Sequence, residues 1–330
     1  MTHPQHRIAR RARLRRERRG RNSFLPLVLA FGLLLTCLCL ASLIGALSLV
    51  KLTRQDTAAS LVSELPLNAQ PLTILLLGVD RRSDESGPAR SDSMILAGFR
   101  PDAGRAALLS IPRDLWVTIP GVGEQRINAA MVFGDDPANA SSAPLLAVDT
   151  VAQALRRPVD RYVVVDFQTF VRLVDALGGI EIDVPEAIVD TEYPTPDYGV
   201  TTIRFDPGPQ VLDGEQALVY ARTRHDDSDF GRSERQQQVI GAIATTLLDP
   251  ATWPRAPQVV QVLRSGVQTD LTSADALSLL QMGLAVGQGQ LDTATLEGDA
   301  ATPWITPGGA WVLLPNWAVI DGIVSGLFGF

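Results

Sequence analysis

An uncharged stretch near the N-terminus constrains the organisation of this chain more than any other feature. From Phe24 to Val50, 27 consecutive residues include no Asp, Glu, Lys or Arg. A helix needs about 20 apolar residues to cross a bilayer, so this stretch is long enough to span one with some tilt. A cleaved signal peptide has an apolar core of only about 7–15 residues and a small-residue cleavage site. The sequence therefore predicts an uncleaved transmembrane signal anchor at residues 23–50.

Charged residues are distributed unevenly on the two sides of this anchor. Residues 1–22 hold nine Arg and one Glu, a net charge of +8, whereas residues 52–330 hold 19 Arg and 35 Asp or Glu, a net charge of −16. Because basic segments remain on the cytoplasmic side, we expect a single-pass protein of the cell membrane with a cytoplasmic arm at 1–22 and an extracytoplasmic body. A body this acidic is not expected to bind nucleic acid.

The body lacks the residues that several kinds of catalytic site require. Lys51 is the only lysine, Cys37 and Cys39 lie inside the apolar stretch, and His225 is the only histidine beyond the basic arm. Residues 52–330 therefore cannot contain a Schiff-base lysine, a cysteine nucleophile, a thiolate zinc site or a histidine cluster. His225 is either a general base or a loop residue in solvent.

Strand-like and helix-like segments alternate after a polar stalk at 51–71. Short apolar runs between turn residues indicate strands, and longer runs with helical periodicity indicate helices. This mixture in one continuous core predicts an α/β sandwich. Strands are predicted at 72–79, 93–99, 105–111, 160–167, 180–184 and 309–315, and helices at 143–155, 167–179, 214–222, 231–249, 257–267 and 273–288.

Two aspartates form the first candidate site. A buried strand delivers Asp80 to its carboxyl end, where open α/β sheets bind ligands, and a glycine-containing loop connects it to Asp92. Two adjacent carboxylates repel each other unless a cation lies between them. Without His or Cys nearby, that cation is a hard one such as Mg²⁺ or Mn²⁺. The alternative is that both carboxylates cap turns or helices.

Arginines form the second candidate site. Arg113 follows a buried strand and must reach an anion, either a phosphate or a carboxylate such as Asp114. Arginines before and inside the helix at 231–249 form a larger cluster, whose guanidinium groups would bind phosphate oxygens bidentately. The alternative is salt bridging to acids of the intervening loop. The cluster comprises Arg222, Arg224, Arg232, Arg235 and Gln236, and the acids are Asp226, Asp227 and Asp229.

These motifs, in this order, resemble the LytR-CpsA-Psr (LCP) family of bacterial cell-envelope proteins. Several motifs in the same order are more specific than any single one, and together they cover about residues 72–249. The basic arm, single span and stalk are also similar to the family's layout. The matching segments are LLLGVDRR, RSDSM, SIPRDLWVTIPG, RINAAMVFG, VVVDFQTFVRLVDALGGIEIDVP and PGPQVLDGEQALVYARTRHDDSDFGRSERQQQ.

The resemblance implies a fold and an activity. The fold would be a central mixed sheet flanked by helices, with an apolar pocket for a polyprenyl tail, in a catalytic domain at 72–330. The activity would be transfer of a phosphate-linked glycopolymer, such as teichoic acid or capsular polysaccharide, from a polyprenyl-pyrophosphate carrier to peptidoglycan. The alternatives are a polyprenyl-pyrophosphate hydrolase and a non-catalytic envelope regulator that binds the lipid carrier.

The resemblance also implies roles for individual residues. Asp80 and Asp92 match metal-binding aspartates, for Mg²⁺ or Mn²⁺. Asp229 is a candidate general base, with Asp92 as its rival, and Arg113 is assigned to the catalytic centre as well as to the pyrophosphate. The positions that match the pyrophosphate-binding motifs are Arg81, Arg90, Arg222, Arg224, Arg232, Arg235 and Gln236, with the roles of Arg90 and Arg235 less defined.

Overall fold

The structure is a computed structural model that describes most of the chain beyond residue 70. The predicted arm and anchor, and the stalk apart from its last residue, lie outside the described residues. Within the described part, no helix is long and apolar enough to cross a membrane. The described residues are 71–80, 89–100, 105–136, 138–195, 199–223, 229–272, 274–275, 279 and 290–329.

A six-stranded mixed sheet forms the centre of the fold. Its strands are β1 (Leu72–Val79), β2 (Ser91–Arg100), β3 (Arg105–Ser110), β6 (Arg161–Asp166), β11 (Val267–Thr269) and β12 (Gln290–Thr295). Their order in the sheet is β11-β6-β1-β2-β3-β12. The β1–β2, β2–β3 and β6–β11 pairs are antiparallel, whereas β1–β6 and β3–β12 are parallel. The strands predicted at 93–99 and 105–111 are thus antiparallel neighbours in this sheet.

Smaller two-stranded antiparallel sheets surround this centre. They pair β4 with β5, β7 with β10, β8 with β9, and β13 with β14. Their bounds are Trp116–Ile119 (β4), Gly123–Arg126 (β5), Ile180–Val184 (β7), Ile188–Pro194 (β8), Val200–Phe205 (β9), Gly208–Leu212 (β10), Ala301–Ile305 (β13) and Trp311–Pro315 (β14).

The helices begin and end at residues suited to those positions. The Asp166 side chain accepts a hydrogen bond from the Thr169 N–H at the start of the helix Phe167–Leu177 (α3), and Gly178 ends that helix with a φ of 89°. Asp213 and Gln216 form a capping box at the start of the helix Gly214–Arg222 (α4). The helices are α1 (Ala130–Phe133), α2 (Ser142–Leu155), α3 (Phe167–Leu177), α4 (Gly214–Arg222), α5 (Asp229–Leu248), α6 (Ala256–Gly266) and α7 (Trp317–Phe328).

The two faces of the central sheet pack against different helices. Successive strand residues point to opposite faces, so Tyr162 and Val164 of β6 join one core cluster, with residues of α2 and α7. Val163 joins another cluster, against which Ile240 of α5 packs. A further cluster connects α3, α4, α5 and α6. The predicted α/β fold with a central mixed sheet and flanking helices is therefore confirmed.

An ion pair fastens the segment after β11 to the sheet. The Arg161 Nε lies 2.7 Å from Asp275 Oδ2, which also accepts hydrogen bonds from the backbone and hydroxyl of Thr272. Burial acts to raise the pKa of Asp275, but the hydrogen bonds from Thr272 and Arg161 outweigh burial and hold that pKa below its ordinary value. The ionised carboxylate is thus the form that the folded chain favours.

Candidate active site

A β-bulge displays Asp92 near one end of β2, an interior strand of the central sheet. In the β1–β2 ladder Gly78 lies opposite Ser93 and Val79 lies opposite Ser91, so Asp92 is the extra residue of β2. Bulges of this kind redirect a side chain next to functional sites. A Cβ on Gly78 would lie 3.1 Å from the Ser93 Cβ, which explains glycine at this close approach. Asp80 directly follows β1, so both aspartates lie at the same end of neighbouring strands.

Arg113 joins Asp92 to a second carboxylate. Its Nη1 lies 2.5 Å from Asp92 Oδ1, and its Nε lies 3.5 Å from Asp114 Oδ2. Asp114 also pairs with Arg126 at 3.4 Å. Arg113 is therefore held from two sides, as the carboxylate alternative predicted, while its side chain still lines the cavity described below.

Arg222, the last residue of α4, interacts with three groups from different elements. Its Cζ lies 4.6 Å from the centre of the Phe167 ring, and its Nη2 lies 3.5 Å from Asp80 Oδ2. The charge of Arg222 also acts on the phenol of Tyr193. Burial raises the pKa of Tyr193, and the charge of Arg222 offsets part of that rise. Stacking on the ring leaves the planar guanidinium edge available for hydrogen bonds.

Helix α5 presents its polar residues in two directions. Arg232 and Gln236 line the cavity, and Gln236 Oε1 accepts a hydrogen bond of 3.2 Å from the Ser93 hydroxyl. Arg235 is only 5% exposed, and its Nη2 donates to the Thr223 carbonyl at 2.6 Å. Consecutive helical residues point about 100° apart, so Arg235 and Gln236 cannot share one direction.

A cavity of about 630 Å³ opens beside these groups. This volume lies within the range of small-molecule binding pockets. Its polar lining includes the clustered charged and amide groups, Asp190 and Glu192 of β8, and also Ser93, Asp166 and Tyr193. Apolar side chains from β1, β6, α3, α4 and α5 line the remainder, among them Leu76, Val163, Val165, Phe167, Phe170, Leu173, Leu218, Val239, Ile240 and Ile243. The arrangement suits a ligand with an anionic head and a long apolar tail.

The structure brings some of the predicted site residues together and leaves others apart. Asp80 contacts this group through Arg222. Arg235 is buried behind the cluster, and Arg90 is exposed just before β2. Asp229 begins α5, whereas Arg81 and Arg224 lie outside the described residues. The predicted residues that line the cavity are Asp92, Arg113, Arg222, Arg232 and Gln236.

Several residues of the site were not found from the sequence. Phe167 contacts Arg222, Tyr193 and Asp190 line the cavity, and Asp190 also binds Thr223. An aromatic residue at a helix start, or an acid on a solvent-facing strand, carries no pattern that separates it from ordinary surface or core. The apolar lining is equally indistinguishable from core by sequence.

Comparisons with known proteins agree with this geometry. The model of the LytR_cpsA_psr family matches residues 46–316. Polyisoprenyl-teichoic acid–peptidoglycan teichoic acid transferase TagU of Oceanobacillus iheyensis is 33% identical over 270 residues, covering 81% of this chain and 78% of the relative. The corresponding TagV of Bacillus subtilis is 30% identical over 237 residues, covering 70% of this chain and 58% of the relative.

Solved structures show the same fold. The crystal structure of B. subtilis TagV superposes with a TM-score of 0.61 at 27% identity, over 80% of this chain and 99% of that one. A structure of TagT bound to LI-WTA superposes with a TM-score of 0.58 at 25% identity, over 81% of this chain and 94% of that one. Because the family model matches most of this chain, the chain belongs to the LytR_cpsA_psr family.

Proposed function

We propose that this chain is a ligase that transfers a phosphate-linked glycopolymer from a polyprenyl-pyrophosphate carrier to peptidoglycan. The observation that carries the proposal is the cavity of about 630 Å³, apolar over most of its lining and bordered by Arg113, Arg222 and Arg232. Relatives named as teichoic acid transferases support teichoic acid or a similar polymer as the cargo.

The apolar lining would hold the polyprenyl tail. Burying hydrocarbon contributes about 25 cal/mol per Å² of apolar surface, so a tail supplies binding energy without any hydrogen bond. Because that energy comes from a part of the carrier that does not react, it can be used to hold the pyrophosphate against the arginines.

The arginines would bind the pyrophosphate and stabilise charge during transfer. A peptidoglycan hydroxyl attacks the phosphorus that carries the glycan, a new P–O bond forms, and the bridging P–O bond to polyprenyl phosphate breaks. The hydroxyl proton leaves with the base, and polyprenyl phosphate leaves with the bridging oxygen. In such a reaction the protein mainly positions groups and neutralises charge, as guanidinium forks do.

Asp80 and Asp92 would hold a divalent cation, Mg²⁺ or Mn²⁺. Among the described residues no group of three or more His, Cys, Asp or Glu side chains could hold a metal. Two carboxylates at the ends of adjacent strands nevertheless suit Mg²⁺, which uses one or two carboxylates together with substrate phosphates. When bound, the ion would neutralise charge on the phosphate oxygens.

Asp229 and Asp92 are the two proposed bases for the acceptor hydroxyl. The Asp92 carboxylate already accepts a hydrogen bond from Arg113, which would compete with the incoming proton. Asp229 begins α5, the helix that also carries Arg232 and Gln236. On this ground we favour Asp229.

We further propose that the catalytic domain at 72–330 lies outside the cell membrane, anchored at 23–50 through the stalk at 51–71, with the arm at 1–22 in the cytoplasm. The uncharged run and the basic segment before it support this topology. A domain held close to the bilayer would meet a lipid carrier at high effective concentration.

The test uses the full chain in detergent with carrier-linked glycan, Mg²⁺ and peptidoglycan. Wild type should release polyprenyl phosphate and leave glycan on the peptidoglycan. Arg113→Ala should lose most of this activity. Arg204→Ala, which removes an arginine that is 65% exposed on β9, should keep it. Free glycan phosphate would instead indicate a hydrolase, and carrier binding without turnover would indicate a regulator.

A further inference from the structure

Thr223 is a buried junction between three elements of the site. It has no exposed surface and directly follows Arg222 at the end of α4. Its hydroxyl donates a hydrogen bond of 2.8 Å to Asp190 Oδ2 of β8. Its carbonyl accepts the bond from Arg235 of α5. Thr223, the residue after Arg222, is thus fixed from two sides by side chains of other elements.

Asp190 uses both carboxylate oxygens for this arrangement. Oδ1 accepts a hydrogen bond of 3.0 Å from the Glu192 N–H, and Oδ2 accepts the Thr223 hydroxyl. The register of the β8–β9 pair shifts between Asp190 and Tyr193, so the first of these bonds lies within a β-bulge. Tyr193, at the far end of the bulge, lines the same cavity as Arg222, whose charge acts on its phenol. One carboxylate therefore joins the bulge to the residue next to Arg222.

Arg235 completes the arrangement from the opposite side. A charged guanidinium that donates to a carbonyl makes one of the stronger hydrogen bonds in a protein, and at 5% exposure solvent competes little with it. Arg235 therefore binds the backbone beside Arg222 from a position buried behind the cavity-lining residues.

We propose that Thr223, Asp190 and Arg235 are positioning residues that set the direction of the Arg222 guanidinium toward the reacting phosphate. The inference rests on the proposed transferase function and deepens it. A displacement of about 1 Å at a group that orients the reaction can cost about 100-fold in rate. The Thr223 hydroxyl and Asp190 carboxylate would thus act on turnover through Arg222, without contributing charge to the pyrophosphate themselves.

The experiment compares Thr223→Val with Thr223→Ser in the full chain. Valine keeps the branched shape and removes the hydroxyl, whereas serine keeps the hydroxyl. We expect Thr223→Val to lower kcat about 10- to 100-fold with a KM for the carrier within about threefold of wild type. Thr223→Ser should remain within about threefold of the wild-type kcat. Asp190→Asn combined with Thr223→Val should lower kcat little further than Thr223→Val alone, because the amide keeps an oxygen for the Glu192 N–H and the Thr223–Asp190 bond is already broken.

The proposal is overturned if Thr223→Val turns over like wild type, or if serine and valine lose activity equally. Additive losses in the double variant would also refute it. If the wild type is inactive, the proposed function is refuted instead. The positioning role is then tested by the pKa of Tyr193, which can be measured without turnover. The pH titration of tyrosine absorbance is measured for each variant with Tyr193 and with Tyr193→Phe. The difference between the two curves gives the ionisation of the Tyr193 phenol. If Arg222 is displaced, Thr223→Val should raise the pKa of Tyr193 further and Thr223→Ser should not; an unchanged pKa in both variants would reject the role.

Discussion

Replacing Arg222 with alanine should separate catalysis from stability. Both members of its ion pair with Asp80 are 34% exposed, so the pair contributes at most about 1 kcal/mol to folding. The stacking on Phe167 adds about 0.5–1 kcal/mol at a partly exposed site. Their sum, about 2 kcal/mol at most, corresponds to a fall in Tm of about 4–8 °C for a domain of this size.

The effect on turnover should be larger than the effect on folding. Removing one preorganised donor to a developing charge typically lowers kcat about 10²- to 10³-fold. Arg222→Lys should recover only part of this loss, because lysine keeps the charge but loses the planar fork and the stacking. The assay is release of polyprenyl phosphate at a temperature where each variant is folded.

Arg157 provides a matched control for Arg222. Its guanidinium also stacks on a phenylalanine, 5.5 Å from the centre of the Phe328 ring, but it does not line the cavity. Arg157→Ala should lower Tm without changing kcat. The reasoning is refuted if Arg222→Ala loses less than about tenfold in kcat, or if Arg222→Lys matches wild type.

Three further outcomes test other parts of the structure. Ile240→Asp, which places a carboxylate in the apolar cavity, should raise the Kd for a polyprenyl carrier about tenfold or more in a binding titration. Asp275 has a lowered pKa in the folded chain, so its contribution to stability should be complete at pH values above its unfolded pKa of about 3.9 and lost as pH falls through the lower folded pKa. Asp275→Asn should remove this fall in Tm at low pH. Gly214→Ala places a Cβ in steric conflict with the Val171 carbonyl oxygen and should destabilise the fold by about 1–3 kcal/mol in urea unfolding.

Four of the six strands of the central sheet could be predicted closely from sequence, whereas β11 and β12 were not predicted. The strand predicted at 72–79 is β1 residue for residue, and the predicted helix at 214–222 coincides with α4. Both segments have unbroken patterns between clear turn signals. Most of the helix predicted at 273–288 lies outside the described residues.

Elements away from the centre were missed because their patterns are weak. The β8–β9 hairpin is mixed in polarity and mostly exposed on β9, so no alternation marks its strands. Helix α7 is apolar enough to be taken for part of the core, and its sequence includes two glycines that weaken a helical pattern. Pairing between distant segments, such as β3 with β12, leaves no local signal at all.

The candidate site was predictable where charge is clustered in sequence and not where tertiary packing decides. Arg222 and Arg232 were found from their motif, and the structure places both at the cavity. The same motif grouped Arg235 with Arg222 and Arg232. In the helix, however, Arg235 points toward the protein interior, where it donates a hydrogen bond to the Thr223 carbonyl. The bulge at Asp92 depends on the register of two strands, which the sequence of either strand alone does not specify.

Neighbouring residues of the central sheet face different surroundings, because one face packs against helices and the other borders the cavity. Val164 belongs to the solid cluster with α2 and α7, whereas Val165, the next residue of β6, faces the cavity. Enlarging Val164 must push aside atoms already in contact, while enlarging Val165 would consume empty volume and shorten the tail that fits. Variation among relatives at these two positions should accordingly follow different rules: conservation of volume at one, and the dimensions of the lipid at the other.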